Sequence, residues 1–221
     1  MSKKMQKICL LLGIMAVISG CVAQKPEEEV AKQEWYFEDF SLEVEIQEDL
    51  SANFKEEQDV VFRGDFDEYV RKIPKSYLSG SETQSSFAVY DNKNQILSAD
   101  DYEVRETADN FEIAIPLSTE LDSEKRKVWT IEYQIKNIIE KKGNENVLKW
   151  SVIPFPRTGG AKSVRAVVSL GQVSSFKAET ATLKINEEVN QQAVVLDKWT
   201  FLFVGENIPN TKDYVIEAVF K

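Results

Sequence analysis

Phe40-Ser41-Leu42-Glu43-Val44-Glu45-Ile46 alternates apolar and polar side chains without a break. In an extended chain successive side chains point to opposite faces, so this stretch is predicted to be a strand with one face in a core and the other in water. The same alternation recurs over residues 87–90, 102–106, 111–117, 129–135, 148–153, 164–170 and 214–220. Turn-forming clusters separate these runs: Asp91-Asn92-Lys93-Asn94, Ala108-Asp109-Asn110, Lys142-Gly143-Asn144 and Thr158-Gly159-Gly160. The spacing implies about a dozen strands. Beyond residue 34 no stretch of ten or more residues repeats its apolar positions every 3.6, although residues 120–127 have room for a short helical turn. The expected fold is therefore all-β: an antiparallel, immunoglobulin-like β-sandwich, as a single large domain over residues 35–221. Two smaller sandwiches joined near residues 118–127 are the alternative.

The chain before this domain has a different character. Lys3, Lys4 and Lys7 precede an apolar run from Ile8 to Ile18, and Ser19-Gly20-Cys21 follows. That run is shorter than the roughly 20 residues a membrane-spanning helix needs, and it has the form of a cleaved export signal. Ile18-Ser19-Gly20-Cys21 resembles the lipobox of bacterial lipoproteins. The expectation is a signal peptide over residues 1–20, cut before Cys21 once the thiol carries a diacylglyceryl group. Residues 21–34 form the lipidated N-terminus and a polar, flexible tether. Two or three acyl chains, such as palmitate, hold a protein stably at a membrane where one does not. The expected location is the bacterial cell membrane, lipid-anchored and facing outside the cytoplasm.

The whole chain has 27 Lys+Arg, 37 Asp+Glu and no histidine, a net charge of −10. The signal segment holds three of the lysines and no acid, so its removal leaves about −13. A surface of that sign repels phosphate backbones, and no basic stripe offsets it, so nucleic acid is excluded as a partner. Both cysteines, Cys9 and Cys21, lie outside residues 35–221. The domain therefore has no means to build a histidine-based triad, a cysteine nucleophile, a disulfide or a His/Cys zinc site. No cofactor is expected. Any catalysis would rest on carboxylates, lysine, serine or tyrosine.

A longer pattern of residues carries a resemblance. From Trp35 the order runs through Asp49-Leu50-Ser51, Phe54-Lys55-Glu56, Phe62-Arg63-Gly64-Asp65-Phe66 and Arg71-Lys72-Ile73-Pro74. Trp129-Thr130-Ile131-Glu132-Tyr133-Gln134-Ile135 and Leu148-Lys149-Trp150 come later. This resembles the extracytoplasmic N-terminal domain of a bacterial family of predicted membrane proteins, domain-of-unknown-function family 2207, over nearly all of residues 35–221. The resemblance implies a fold and a compartment, not an activity. Where the family has Asp-Gly-Ser, this chain has Asp49-Leu50-Ser51, so the turn has to form without glycine's freedom at positive φ. Family members continue into transmembrane helices and a Gly-rich or cytoplasmic tail, whereas this chain is expected to be anchored from its other end.

Shorter motifs carry less. Arg63-Gly64-Asp65 is the integrin-type tripeptide, but Gly64 already belongs to the family-like pattern. Ser174 and Lys177 have Ser-x-x-Lys spacing without a Lys-Thr-Gly partner. Gly160-Ala161-Lys162-Ser163 lacks the spacing of a phosphate loop, and the run from Asp91 has Lys93 where a calcium ligand belongs. Asp65, Asp67 and Glu68 crowd one turn, where a weak calcium site is the sharper reading and a solvated acidic turn the plainer one. Glu56, Glu57 and Asp59 share a strand; Glu57 and Asp59 share a face, most simply a solvated one, and the fold alone decides whether two acids meet as a glycosidase pair. Arg71 is expected to pair with an acid and act structurally. Trp129 and Trp150 share parity with aliphatic residues and belong in the core, leaving Trp35 and Trp199 as sugar-stacking platforms.

Two functional classes follow. One is a non-catalytic binding or structural module of the cell envelope that meets an envelope protein or wall polymer. The other is a carboxylate-dependent hydrolase or carbohydrate-binding module acting on envelope glycan. No catalytic residue is assigned, and the ligand is unknown.

Overall fold

The computed structural model describes residues 33–77, 86–117, 125–153, 159–171, 175–185, 188–190 and 192–221. Their regular structure is fifteen strands and one 3-10 turn. The first six strands are β1 (Glu34–Ile46), β2 (Ala52–Arg63), β3 (Glu68–Pro74), β4 (Phe87–Tyr90), β5 (Glu103–Glu106) and β6 (Asn110–Pro116). Then come β7 (Lys125–Ile135), β8 (Ile139–Lys142), β9 (Glu145–Ile153), β10 (Ala161–Ser169) and β11 (Ala178–Ile185). The last are β12 (Glu188–Asn190), β13 (Ala193–Asp197), β14 (Thr200–Ile208) and β15 (Tyr214–Phe220). The fold is all-β and sandwich-like. Cys21, the expected signal peptide and nearly all of the expected tether lie outside the described residues.

Seven strands form the largest sheet, in the order β13-β14-β10-β1-β2-β7-β4. Five form a second, β12-β11-β15-β9-β8, and three form a third, β3-β6-β5. Residues from all three contribute to one continuous core. Tyr69 of β3 stacks on Trp129 of β7, with centroids 5.0 Å apart and planes 4° from parallel. That contact lays the three-stranded sheet over the β2–β7 end of the large one. At the opposite end the Tyr214 ring of β15 lies against Gly205 of β14, where an added Cβ would fall 2.3 Å from Tyr214 Cε2.

The alternation that opens β1 works as expected. Phe40, Leu42, Val44 and Ile46 are at most 2% exposed, while Glu43 and Glu45 are in water. Each such side chain contributes about 1.5–3 kcal/mol by leaving water. A register irregularity between Phe37 and Asp39 explains why the pattern starts only at Phe40: Phe37 is also buried, on the opposite parity. The segment expected to have room for a helical turn instead supplies Lys125–Lys127 to β7; its remainder lies outside the described residues.

Two features depart from a simple antiparallel sandwich. β1 pairs with β10 in parallel, Phe40 beside Val164 and Val44 beside Val168, while every other strand pair among the described residues is antiparallel. The glycines before β10 allow that pairing to begin: a Cβ on Gly159 would fall 1.4 Å from the Trp35 carbonyl oxygen, and Gly160 O accepts from Phe37 N at 3.0 Å. The second feature is Leu50, at φ 64°, in a left-handed position that glycine adopts more readily than leucine. Asp49 holds that turn, its Oδ1 accepting from Ser51 N at 2.9 Å and Ser51 Oγ at 2.6 Å.

Candidate functional site

The inward positions of β2 run Ala52, Phe54, Glu56, Gln58, Val60 and Phe62, so the period that buries the apolar residues also buries Glu56 and Gln58. Both are fully buried. A carboxylate taken out of water is strongly unfavourable unless it is paired and hydrogen-bonded. Arg71 of β3 pairs it with a fork: Nε donates to Oε2 and Nη2 to Oε1, each at 2.7 Å. Tyr133 of β7 donates its hydroxyl to Oε1 at 2.6 Å, and Gln58 Nε2 donates to Oε2 at 2.6 Å. Arg71 places its other protons on Val152 O at 3.0 Å and Lys72 O at 2.9 Å. Tyr69 OH closes the group on Gln58 Oε1 at 2.7 Å.

The electrostatics follow from this wiring. Burial works against the charge on Arg71, but the Coulombic attraction and hydrogen bonds of Glu56 outweigh it and raise the guanidinium pKa. Burial, reinforced by the neighbouring Glu56 charge, pushes the Tyr133 hydroxyl well above its ordinary value, and burial does the same to Tyr69. The cluster is a closed ion pair with two neutral phenols, and neither Glu56 oxygen lacks donors. By contrast, Trp150 Nε1 and Tyr214 OH are buried without a hydrogen-bond partner.

Tyr69 and Arg71 also line a cleft of about 860 Å³. Trp35, Lys72, Pro74 and Asn110 contribute to its wall. Trp35 is half-buried there, its ring edge-on to Phe37 at 5.2 Å and to Tyr69 at 5.5 Å. The carboxylates around the cleft, Glu68, Asp109 and Asp213, are not buried, and Glu68 holds Arg105 at 3.0 Å. Through Tyr69 and Arg71 the buried cluster thus reaches a mixed aromatic and polar depression, while Glu56, Gln58 and Tyr133 do not line it.

The residues singled out in the sequence separate clearly. Glu57 and Asp59 do share the outer face, and Asp59 is gripped there by Arg126 through both nitrogens of a fork. Glu56 points the other way and does not meet them. Arg71 does pair with an acid, one fifteen residues back in the chain. Trp129 and Trp150 are core residues at 6% and 0% exposure. Trp199 is partly exposed, with Lys198 Nζ 3.8 Å from its ring centroid. Asp91 turns its Oδ1 to its own loop, accepting from Lys93 N at 2.8 Å and Gln95 N at 2.9 Å. Among the described residues no group of three or more His, Cys, Asp or Glu side chains is placed to hold a metal ion. Ser174 lies outside the described residues. Gln58, Tyr69 and Tyr133 were not singled out as a polar group, although the parity of Gln58 with Phe54 and Val60 placed it inside.

Residues 36–206 match the family described as the N-terminal domain of a predicted membrane protein, DUF2207. The chain belongs to that family. No curated protein matches the DUF2207 chain. Among solved structures it is similar to a candidate protease from Parabacteroides distasonis at 10% identity and a TM-score of 0.47, covering 84% of this chain and 40% of that one. It is also similar to an M1 zinc metallopeptidase from Deinococcus radiodurans, at 10% identity and TM-score 0.42, covering 85% and 43%. A candidate nutrient-binding protein from Legionella pneumophila gives 7% identity and TM-score 0.45, covering 85% and 68%. The chain spans less than half the length of the first two, and likenesses this distant carry no argument about activity. Among the described residues of the DUF2207 domain, no helix is long and apolar enough to cross a membrane.

Proposed function

We propose that this DUF2207 chain is a lipid-anchored recognition module of the cell envelope, which binds an envelope protein or wall polymer through the cleft over Tyr69 and Arg71 without turning it over. The observation that carries the reading is the state of Glu56. It is the one buried carboxylate among the described residues, and Arg71, Tyr133 and Gln58 occupy both of its oxygens. A general acid or nucleophile needs a carboxyl group free to exchange a proton or attack, and a fully forked carboxylate offers neither. The cleft acids are in contact with water, so nothing desolvates them for acid catalysis. Binding requires only shape and a mixture of apolar and polar groups, which the cleft has.

Within that reading, Trp35 favours a glycan among the wall polymers, because an aromatic face beside amide and carboxylate groups suits a sugar ring. The anchor in this reading is Cys21, carrying acyl chains and followed by the tether of residues 21–34. The test is retention of envelope protein and wall polysaccharide by the purified full chain, compared with Trp35→Ala. Loss of retention with unchanged melting supports the cleft as the binding site. Turnover of glycan, peptide or ester substrate that vanishes in Glu56→Gln, with folding intact, overturns the module reading. Intact-mass analysis of the processed chain tests the anchor: an unmodified Cys21 overturns it.

A further inference from the structure

The cleft runs along an unpaired strand edge. β3 is the outermost strand of its sheet and pairs with β6 alone. Just beyond its two ends Leu117 N donates to Asp67 O at 2.7 Å and Lys75 N to Asp109 O at 2.8 Å. Both pairs continue the β3–β6 register, in which Tyr69 faces Ile115 and Ile73 faces Phe111. In an antiparallel ladder bonded pairs alternate with unbonded ones, so Tyr69, Arg71 and Ile73 turn their backbone groups to β6. Glu68, Val70 and Lys72 turn theirs the other way, and all three line the cleft. Pro74 has the same outward parity, where a residue without an N–H leaves the ladder intact.

Lys72 O accepts from Arg71 Nη1 at 2.9 Å. The N–H groups of Glu68, Val70 and Lys72 and the C=O groups of Glu68 and Val70 have no partner among the described residues. Charged side chains commonly guard such an edge, but the two here are engaged within their own sheet. Glu68 is held by Arg105 of β5 at 3.0 Å, and Lys72 by Glu112 of β6 at 3.5 Å. Across the cleft stands β9, which contributes Ser151 and Ile153 to the wall and which β8 accompanies only as far as Leu148. Arg71 reaches this side too, its Nη2 donating to Val152 O at 3.0 Å.

We infer that the cleft takes an extended polypeptide segment of a partner protein, which adds to β3 as a further strand. The inference rests on the cleft being the recognition site. A polypeptide turns N–H and C=O groups to one side at every second residue, about 6.8 Å apart, and the open groups of β3 repeat at that spacing. A sugar chain carries no such ladder. Glu68 to Lys72 spans about 14 Å, room for roughly five residues of the partner. Inward side chains of the added strand meet Trp35 and Phe66, both half-buried in the cleft wall, while the alternate ones face water. The segment therefore alternates apolar and polar residues, as β1 does.

Selection from a random decapeptide library on the purified full chain tests this, followed by N-methylation of the selected peptide one amide at a time. Strand addition predicts at least tenfold weaker binding for methylation at every second amide along the paired stretch. Val70→Pro removes the central donor of the edge and spares the bonds to β6, so it should weaken peptide binding at least tenfold in a chain that still folds. In the parent, bound peptide should slow hydrogen exchange at the Val70 amide at least tenfold, a reading that needs no variant. A library that yields no peptide overturns the inference, as does a peptide that tolerates methylation at every amide or binds folded Val70→Pro as tightly as the parent. Retention of wall polysaccharide that falls in Trp35→Ala and not in Val70→Pro also overturns it, keeping the cleft as the recognition site with a glycan as its ligand. Binding unchanged in both variants removes the cleft reading itself.

Discussion

β2 holds two arginine–carboxylate forks that differ in almost nothing but their side of the sheet. On the inner face Glu56 is paired with Arg71, at 0% and 3% side-chain exposure; on the outer face Asp59 is paired with Arg126, at 14% and 63%. The outer pair is an ordinary surface contact, weak because water and salt screen it. The inner pair is different because neither charge has water to fall back on, so each is held in place by the other. Burial converts the same chemistry from an ornament of the surface into a condition for folding.

The most severe way to break that comparison is Arg71→Ala. It strands the Glu56 charge in the core and should cost about 3–5 kcal/mol in denaturant unfolding. A loss below about 1 kcal/mol would show that the two forks are equivalent after all. Tyr133→Phe removes one donor and leaves the fork intact, so the expected loss is smaller, about 1.5–3 kcal/mol, the range for a hydrogen bond to a charged group. Asp59→Asn should cost only about 0.2–1 kcal/mol, and that difference should shrink further in high salt. The gentlest test is at the Asp49 turn, where the hydrogen bonds from the Ser51 hydroxyl and backbone lower the Asp49 pKa. A carboxyl group with a depressed folded pKa stabilises fully above its unfolded value, and the contribution is lost as pH falls through the folded one. Ser51→Ala should move the Asp49 titration, followed by carboxyl NMR, back toward the ordinary value.

The two faces of β2 also show what could be read in advance. Period two is a local property, and it placed Phe40, Trp129, Trp150 and the pair Glu57 and Asp59 on their proper sides. It also contained Glu56 and Gln58 at inward positions, but the partner that makes a buried acid tolerable is on β3, in another sheet. Pairing across sheets is set by the global arrangement of strands, which no local period encodes. The same limit hid the parallel alignment of β1 with β10. β13 escaped for the opposite reason: Val194, Val195 and Leu196 are exposed on both faces, so the strand has no alternation to read. At residues 125–127 the charged run Lys125-Arg126-Lys127 gave no period either, and β7 extends through it because β2 lies alongside, with Asp59 opposite Val128.

The seam between β1 and β10 determines when the molecule can be finished. Synthesis delivers β1 first and β2 shortly after it, and those two can pair at once. The other side of β1 waits for Ala161–Ser169, more than a hundred residues later in the chain. Distant pairings of this kind form slowly, because a long loop must be closed before any contact rewards it. The central strand of the largest sheet is thus among the earliest made and the latest completed. Until Ala161–Ser169 arrive, one edge of β1 has no partner strand.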